Sequence, residues 1–178
     1  LQFGKITALG ASDALPNCKS GTPESHNRRL ANNKAEENMT DFEPTIIAFV
    51  CNWCTYTAAD LAGTSRLSYP QNVRLIRVMC TGMVDPQYII KALLEGADGV
   101  LVSGCHPGDC HYINGNYKAR RRIKLLKEIL PQFGFEQERL RLTWIGASDG
   151  IEFAEVMREL VAQIRDLGPN EAKLKMVI

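Results

Sequence analysis

A parallel α/β fold is predicted for most of this chain, and three observations predict it. Strand-like segments recur at 45–50, 73–79 and 99–103, the first of them a short, continuous apolar run, the pattern of a strand buried on both faces. Segments with helical periodicity and helix punctuation separate them. The order that results, β-α-β-α-β-α-β-α, implies a four-stranded parallel sheet with helices on both faces, joined by right-handed crossovers, flavodoxin-like in outline.

The elements follow in order. Thr45 to Val50 is the first strand and ends at Cys51. Residues 55 to 67, with Ala58, Ala59, Leu61 and Ala62 and Gly63 near the end, read as a short helix. The second strand, Val73 to Met79, ends at Cys80. Asp85-Pro86 is a helix start, an N-cap followed by proline at the first helical position. Ile89, Ile90, Leu93 and Leu94 supply that helix's buried face, and Gly96 stops it. Gly99 to Ser103 is the third strand and runs into Gly104-Cys105. A long helix is expected from about Asn116 to Leu130, then a weaker, alternating strand from Arg139 to Ile145. Asp149 and Glu152 sketch a capping box for the last helix. Its stripe of Phe153, Val156, Met157, Leu160, Ile164 and Leu167 faces the core, and Gly168-Pro169 ends it. Trp144, on the fourth strand, is expected in the core.

Residues 1–43 differ. The stretch from Asn17 to Ser25 and the polar run from Asn27 to Asn38 have neither strand nor helix periodicity, so an extended arm or linker is expected there. Met39 is an alternative start for the core domain. The domain proper is expected over 44–168, with a short tail over 169–178. A core of about 125 residues is large enough to fold without metal or disulfide help.

Composition excludes several function classes. Of the 178 residues, 23% are charged and 45% hydrophobic, and the formal net charge is +1, so no global electrostatic case for nucleic acid exists. No apolar run approaches a membrane span and no secretory signal is visible, so a cytoplasmic protein is expected. Gly-x-Gly-x-x-Gly after a strand and Gly-x4-Gly-Lys-Ser/Thr are both absent, as is a convincing Ser-His-Asp set; no catalytic residues are assigned.

The six cysteines are the unusual feature of the composition. In a reducing compartment clustered thiols point to metal binding or redox chemistry rather than disulfides. Cys18 stands alone and reads as a small hydrophobe or a surface thiol; the other five fall between Cys51 and Cys110. Cys51, Cys80 and Cys105 each end a predicted strand, and Cys54 and Cys110 lie in the loops that follow. Strand-to-helix loops of a parallel sheet gather at one edge, where ligands bind. The set Cys51-x2-Cys54, Cys80, Cys105-x4-Cys110 therefore converges, and four soft thiolates suit an iron–sulfur cluster or a zinc ion. Glycines beside the thiols (Gly82, Gly104, Gly108) let backbone N–H groups approach sulfur and raise a cluster's potential.

Other readings stand beside that one. Cys51-Asn52-Trp53-Cys54 after a strand and before a helix also suits a thiol–disulfide oxidoreductase, although Cys80, Cys105 and Cys110 are then unexplained. A zinc-stapled interaction module is the third. His106 and His111 are candidate ligands of the kind two histidines provide in Rieske centres, or hydrogen-bond donors fixing the loop. Trp53, between two thiols, is placed to shield the site. The basic run Lys118-Ala119-Arg120-Arg121-Arg122-Ile123-Lys124 reads as a solvated helix face, with docking to an acidic partner as its alternative.

Three segments carry a family resemblance: Phe49 to Cys54 with Ala58 to Arg66, Arg77-Val78-Met79-Cys80-Thr81-Gly82, and Gly104 to Tyr112. Over residues 44 to about 167 the chain resembles the delta subunit of methyl-viologen-reducing hydrogenase; the first 43 residues fall outside the resemblance. The resemblance implies a small [2Fe-2S] electron-transfer subunit of anaerobic archaea and bacteria, non-catalytic itself. It implies partners too: a hydrogenase or formate dehydrogenase upstream, and downstream the flavin-containing subunit of heterodisulfide reductase, in methanogenesis-type metabolism. Carried onto this chain, the cluster ligands come from Cys51, Cys54, Cys80, Cys105 and Cys110. Which four they are stays open, and ligand count alone does not separate [2Fe-2S] from [4Fe-4S].

Overall fold

The computed structural model describes residues 42–172. Cys18, Met39 and nearly all of the expected arm lie outside the described residues, as does the tail beyond 172. Within them the strands are β1 (Ile46–Cys51), β2 (Val73–Val78), β3 (Gly99–Gly104) and β4 (Leu140–Trp144). The helices are α1 (Thr55–Thr64), α2 (Pro86–Leu94), α3 (Gly115–Ile129) and α4 (Gly150–Leu167). All pairings are parallel, and the strand order is β2-β1-β3-β4. The expected fold class is the one found.

Strand alternation divides the core into two layers. Ala48 and Val50 of β1 and Leu101 of β3 face α1 and α4, meeting Ala58, Ala62, Phe153, Met157 and Leu160. Phe49, Val100 and Val102 face the other way, onto Ile89 and Leu93 of α2 and Ile123 and Leu126 of α3. Gly150 sits where α4 meets α1: a Cβ there would lie 3.1 Å from Ala62 N, so the residue lets the helices approach closely. Leu61 of α1 is 39% exposed, while Ala58, Ala59 and Ala62 form the helix's buried face. Trp144 is only partly buried and belongs to neither core layer, because β4 is an edge strand with one covered flank.

The helix ends follow their residues. Asp85 Oδ1 accepts from Gln87 N at 2.8 Å with Pro86 next to it, an N-cap worth about 1 kcal/mol. Gly96 and Gly168 close α2 and α4 with positive φ. The capping box at Asp149 does not form. Its side chain makes no cap hydrogen bond to α4; Asp149 Oδ2 accepts instead from Gly146 N at 2.7 Å and faces His106 Nε2 at 3.1 Å. Two nearer polar partners outcompete the helix N–H groups for one carboxylate.

At the amino edge of the sheet a polar knot closes the domain. Asp98 accepts from Thr45 N through Oδ2 and from Asn170 N through Oδ1, at 2.9 and 3.0 Å. Arg139, 1% exposed, pairs with Glu136 and donates to the carbonyls of Asp98, Gly168 and Pro169. The guanidinium thus satisfies three carbonyls that helix and strand termini leave without partners.

Candidate metal centre

The carboxyl ends of the strands hold all five described cysteines, every one of them buried and none in a disulfide. Cys51 ends β1, and Cys105 follows β3. These two strands are neighbours at the point where chain order reverses direction across the sheet, the place where open α/β sheets form a crevice. Their sulfurs lie 3.8 Å apart. Cys54 stands immediately before α1, and its sulfur joins theirs, the three lying within 4.8 Å of one another. Cys80 caps a 3-10 turn (Thr81–Met83) that follows β2, and its sulfur accepts from Gly82 N at 3.4 Å. Cys110 approaches Cys80 closely enough to affect its ionisation.

The first turn of α3 holds the second pair in place. A Cβ on Gly115 would collide with Cys80 Sγ and lie 3.3 Å from Cys110 Sγ. Gly82 in turn backs onto Gly115, where its own Cβ would meet Gly115 Cα at 2.9 Å. Backbone therefore presses against sulfur on this side, in a space no side chain can enter. Arg122, two turns further along the same side of α3, donates to Gly82 O at 2.7 Å and tethers the Cys80 turn.

Buried polar contacts lock the other loops. Thr55 Oγ1 and Ser103 Oγ, both fully buried, are 3.0 Å apart and join the start of α1 to the end of β3, and so the Cys54 loop to the Cys105 loop. Asn116 Nδ2 donates to the carbonyls of Cys105 and His106 at 3.2 and 2.7 Å. Above them Trp53 stacks on His111 with centroids 4.0 Å apart, and His111 meets Tyr112 edge-on. Trp53 is itself 45% exposed and, with His111, lines an opening beside Cys54 and Cys105. His106 pairs with Asp149, whose carboxyl this contact holds below its ordinary value. The three-sulfur group contains neither histidine.

Charge within the sulfur group is uneven. Hydrogen bonding from Cys54, helped by the Trp53 N–H and by Cys105, lowers Cys51 to about 6 against the opposing effect of burial. The N-terminus of α1, directly after Cys54, favours negative charge in the same place. The hydrogen bond to the Cys51 thiolate, with burial, pushes Cys54 up. Burial raises Cys105 as well, and raises Cys80 to about 11. Cys54, Cys80 and Cys105 thus hold their protons when no metal is bound, whereas a metal replaces those protons. The residues fit a thiolate-bound metal group.

Of the expected glycines, Gly82 supplies a sulfur hydrogen bond. Gly104 makes room for Thr81, whose Oγ1 would lie 2.7 Å from an added Cβ, and Gly108, at φ +100°, forms the turn in the Cys105–Cys110 loop. Gly115, Asn116, Arg122 and the Thr55–Ser103 pair carry no motif; only the fold brings them to the sulfurs. Two openings reach the group. One, of about 410 Å³, is lined by Met79, Cys80, Met83, Tyr112 and Lys118; the other, of about 540 Å³, by Cys54, Cys105, His106, His111 and Asp149. Among the described residues no helix is long and apolar enough to cross a membrane.

Comparison with known proteins agrees with the sequence motifs. Residues 46–168 match the family model for the methyl-viologen-reducing hydrogenase delta subunit. The chain is 58% identical over 129 residues to the iron-sulfur subunit of an F420-non-reducing hydrogenase from Archaeoglobus profundus, covering 72% of this chain and 94% of that one. It is 50% identical over 133 residues to the vhc iron-sulfur subunit of the same type of hydrogenase from Methanococcus voltae, covering 75% and 92%. A third relative is far longer: one chain of the ferredoxin:CoB-CoM heterodisulfide reductase of Methanosarcina mazei is 46% identical over 132 residues, which are 74% of this chain and 17% of that one. With these motifs, this fold and these matches, the chain belongs to the methyl-viologen-reducing hydrogenase delta subunit family.

Proposed function

We propose that this chain is an iron–sulfur electron relay, taking single electrons from a hydrogenase or formate dehydrogenase and passing them to the flavin-containing subunit of heterodisulfide reductase. One observation carries the reading: five buried, unpaired thiols from separate loops meet at one edge of the sheet. Cys51, Cys54, Cys80, Cys105 and Cys110 are the candidate ligands, four of them at a time. Cys80 and Cys110 as one pair, with two of Cys51, Cys54 and Cys105 as the other, is a two-by-two distribution that suits the two irons of a [2Fe-2S] cluster. Such a cluster, when bound, supplies reversible one-electron chemistry.

The chain's own residues do the rest. Gly82 N–H donates to Cys80 sulfur and, with the N-terminus of α1, favours the more negative reduced state. Gly115 and Gly82 hold backbone against the Cys80 and Cys110 sulfurs on one side, and the Trp53–His111 stack stands at the opening beside Cys54 and Cys105 on another. The partners are supported by the relatives' names and by one further fact. In the Methanosarcina relative the matching segment lies within the heterodisulfide reductase polypeptide itself, so there a domain of this kind shares a chain with that partner. Residues 44–168 are the electron-transfer domain in this reading.

The thiol–disulfide reading has a specific observation in its favour, the low pKa of Cys51 beside the raised Cys54. Cys51 is buried, however, while an attacking thiolate must be reached by its substrate. Iron and acid-labile sulfide analysis on protein purified without oxygen separates the readings. About two irons and two sulfides per chain with a visible band that bleaches on reduction are expected. Zinc, or a colourless protein with a titratable Cys51/Cys54 pair, would overturn the relay. A Cys→Ser series then identifies the ligands: Cys80→Ser and Cys110→Ser each lose most of the iron, and one of the three replacements at Cys51, Cys54 and Cys105 retains it.

A further inference from the structure

The Cys80 side of the centre carries an exposed apolar surface that the core does not use. Met79 is 49% exposed, Met83 63% and Tyr112 48%, and all three line the opening that reaches Cys80. Ile113, next along the chain from Tyr112, is 83% exposed. Its backbone is as unusual as its exposure. Ile113 has φ +68°, and Asn114 N donates to Tyr112 O across it at 2.8 Å. That is a γ-turn in its rare positive-φ form, which a β-branched residue tolerates poorly. Glycine or asparagine would suit the conformation better, and a polar residue would suit the exposure better. Neither local backbone energy nor internal packing accounts for isoleucine here.

Charge marks the same side. Lys118 lines the opening, and Arg121 and Lys124 continue an exposed basic ridge along α3 at i+3 spacing. None of these three forms an ion pair among the described residues. Methionines adapt their shape to a partner, and a cationic rim selects an acidic one and steers its approach.

We propose that the Met79–Met83–Tyr112–Ile113 surface, rimmed by the basic face of α3, is the docking site for one redox partner protein whose contact face is apolar at its centre and acidic at its rim. The inference rests on the relay reading and adds to it a surface and a partner chemistry. A partner seated here lies against the opening to Cys80, which leaves the second opening, beside Cys54 and Cys105, for the other partner.

The test pairs two variants with two probes. Ile113→Gly relieves the turn, and Lys118→Glu/Arg121→Glu reverses the rim. The probes are the flavin-containing heterodisulfide reductase subunit and, separately, the intact hydrogenase, each titrated against the iron-loaded chain. Ile113→Gly should leave the iron content and visible spectrum unchanged and hold or raise the thermal midpoint. It should weaken association with one probe by about tenfold or more, as loss of a buried apolar anchor does. The charge reversal should weaken the same association and flatten its salt dependence. The proposal is overturned if both variants bind both probes like the unaltered chain. A lowered thermal midpoint in Ile113→Gly also overturns it, by showing that the side chain packs within the chain. So does a homodimer that Ile113→Gly dissociates, since a second copy would then cover the surface. Failure of the relay reading is recognised separately, by an unaltered chain that carries no iron and no visible band.

Discussion

Gly115 shows how little of a site need be chemically distinctive. It bears no ligand atom, yet its missing Cβ is what allows Cys80 and Cys110 sulfurs to sit beside the first turn of α3. Gly115→Ala is expected to leave the sheet intact and to displace those sulfurs, so that the purified protein retains less than about half its iron while its far-ultraviolet circular dichroism is unchanged. Equal iron in both would show that the α3 turn yields easily. In the sequence Gly115 reads only as the end of an irregular loop, because its importance lies against Cys80, far back along the chain. The cysteines were legible for the opposite reason: each ends a strand or follows one, and parallel strands carry their loops to a common edge.

Asp149 teaches the complementary lesson about elements. The Ser148-Asp149-Gly150-Ile151-Glu152 pattern correctly announces α4, which begins at Gly150. It misplaces the carboxylate, which is taken by Gly146 N and by His106, 43 residues earlier in the chain. Local pattern locates a helix start well and side-chain partners poorly, since the partners are chosen by what the fold brings near. The pH consequence is definite in sign. His106, then Gly146 N and Ser148, hold the folded Asp149 carboxyl below its ordinary value of about 3.9. Its contribution is therefore present above that value and is lost as pH falls through the folded one. Asp149→Asn should be less stable than the unaltered chain at pH 7, and the gap should close in chemical denaturation below about pH 4. A gap independent of pH would assign the effect to packing.

Across the whole molecule, the two ends of the sheet have different work. The carboxyl end holds the sulfurs, and the amino end is closed by Asp98, Arg139 and Asn170. Arg139→Met removes a buried guanidinium and leaves three carbonyls to find other partners, which predicts a loss of about 2–4 kcal/mol in chemical denaturation. Iron content per folded chain should not change. A loss under about 0.5 kcal/mol would mean that water replaces the guanidinium. Arg139 appeared in the sequence only as the start of a weak strand, since nothing nearby in the chain marks it as buried. The parallel four-stranded sheet with helices on both faces was readable because strand segments, helix punctuation and crossover rules all agree; the strand order and the polar knot were not, the knot because its members come from four separated segments.

That knot has a further consequence. Thr45 and Asn170, near the two limits of the described chain, are bonded to the two oxygens of one carboxylate. The polypeptide therefore enters and leaves the domain through adjacent points, on the side of the sheet away from the thiols. A module wired in this way can be spliced into a host protein as a plug-in, with both seams at its base and its working surface turned outward. The 132-residue match to 17% of a heterodisulfide reductase chain is a case of a domain of this kind joined to a larger host.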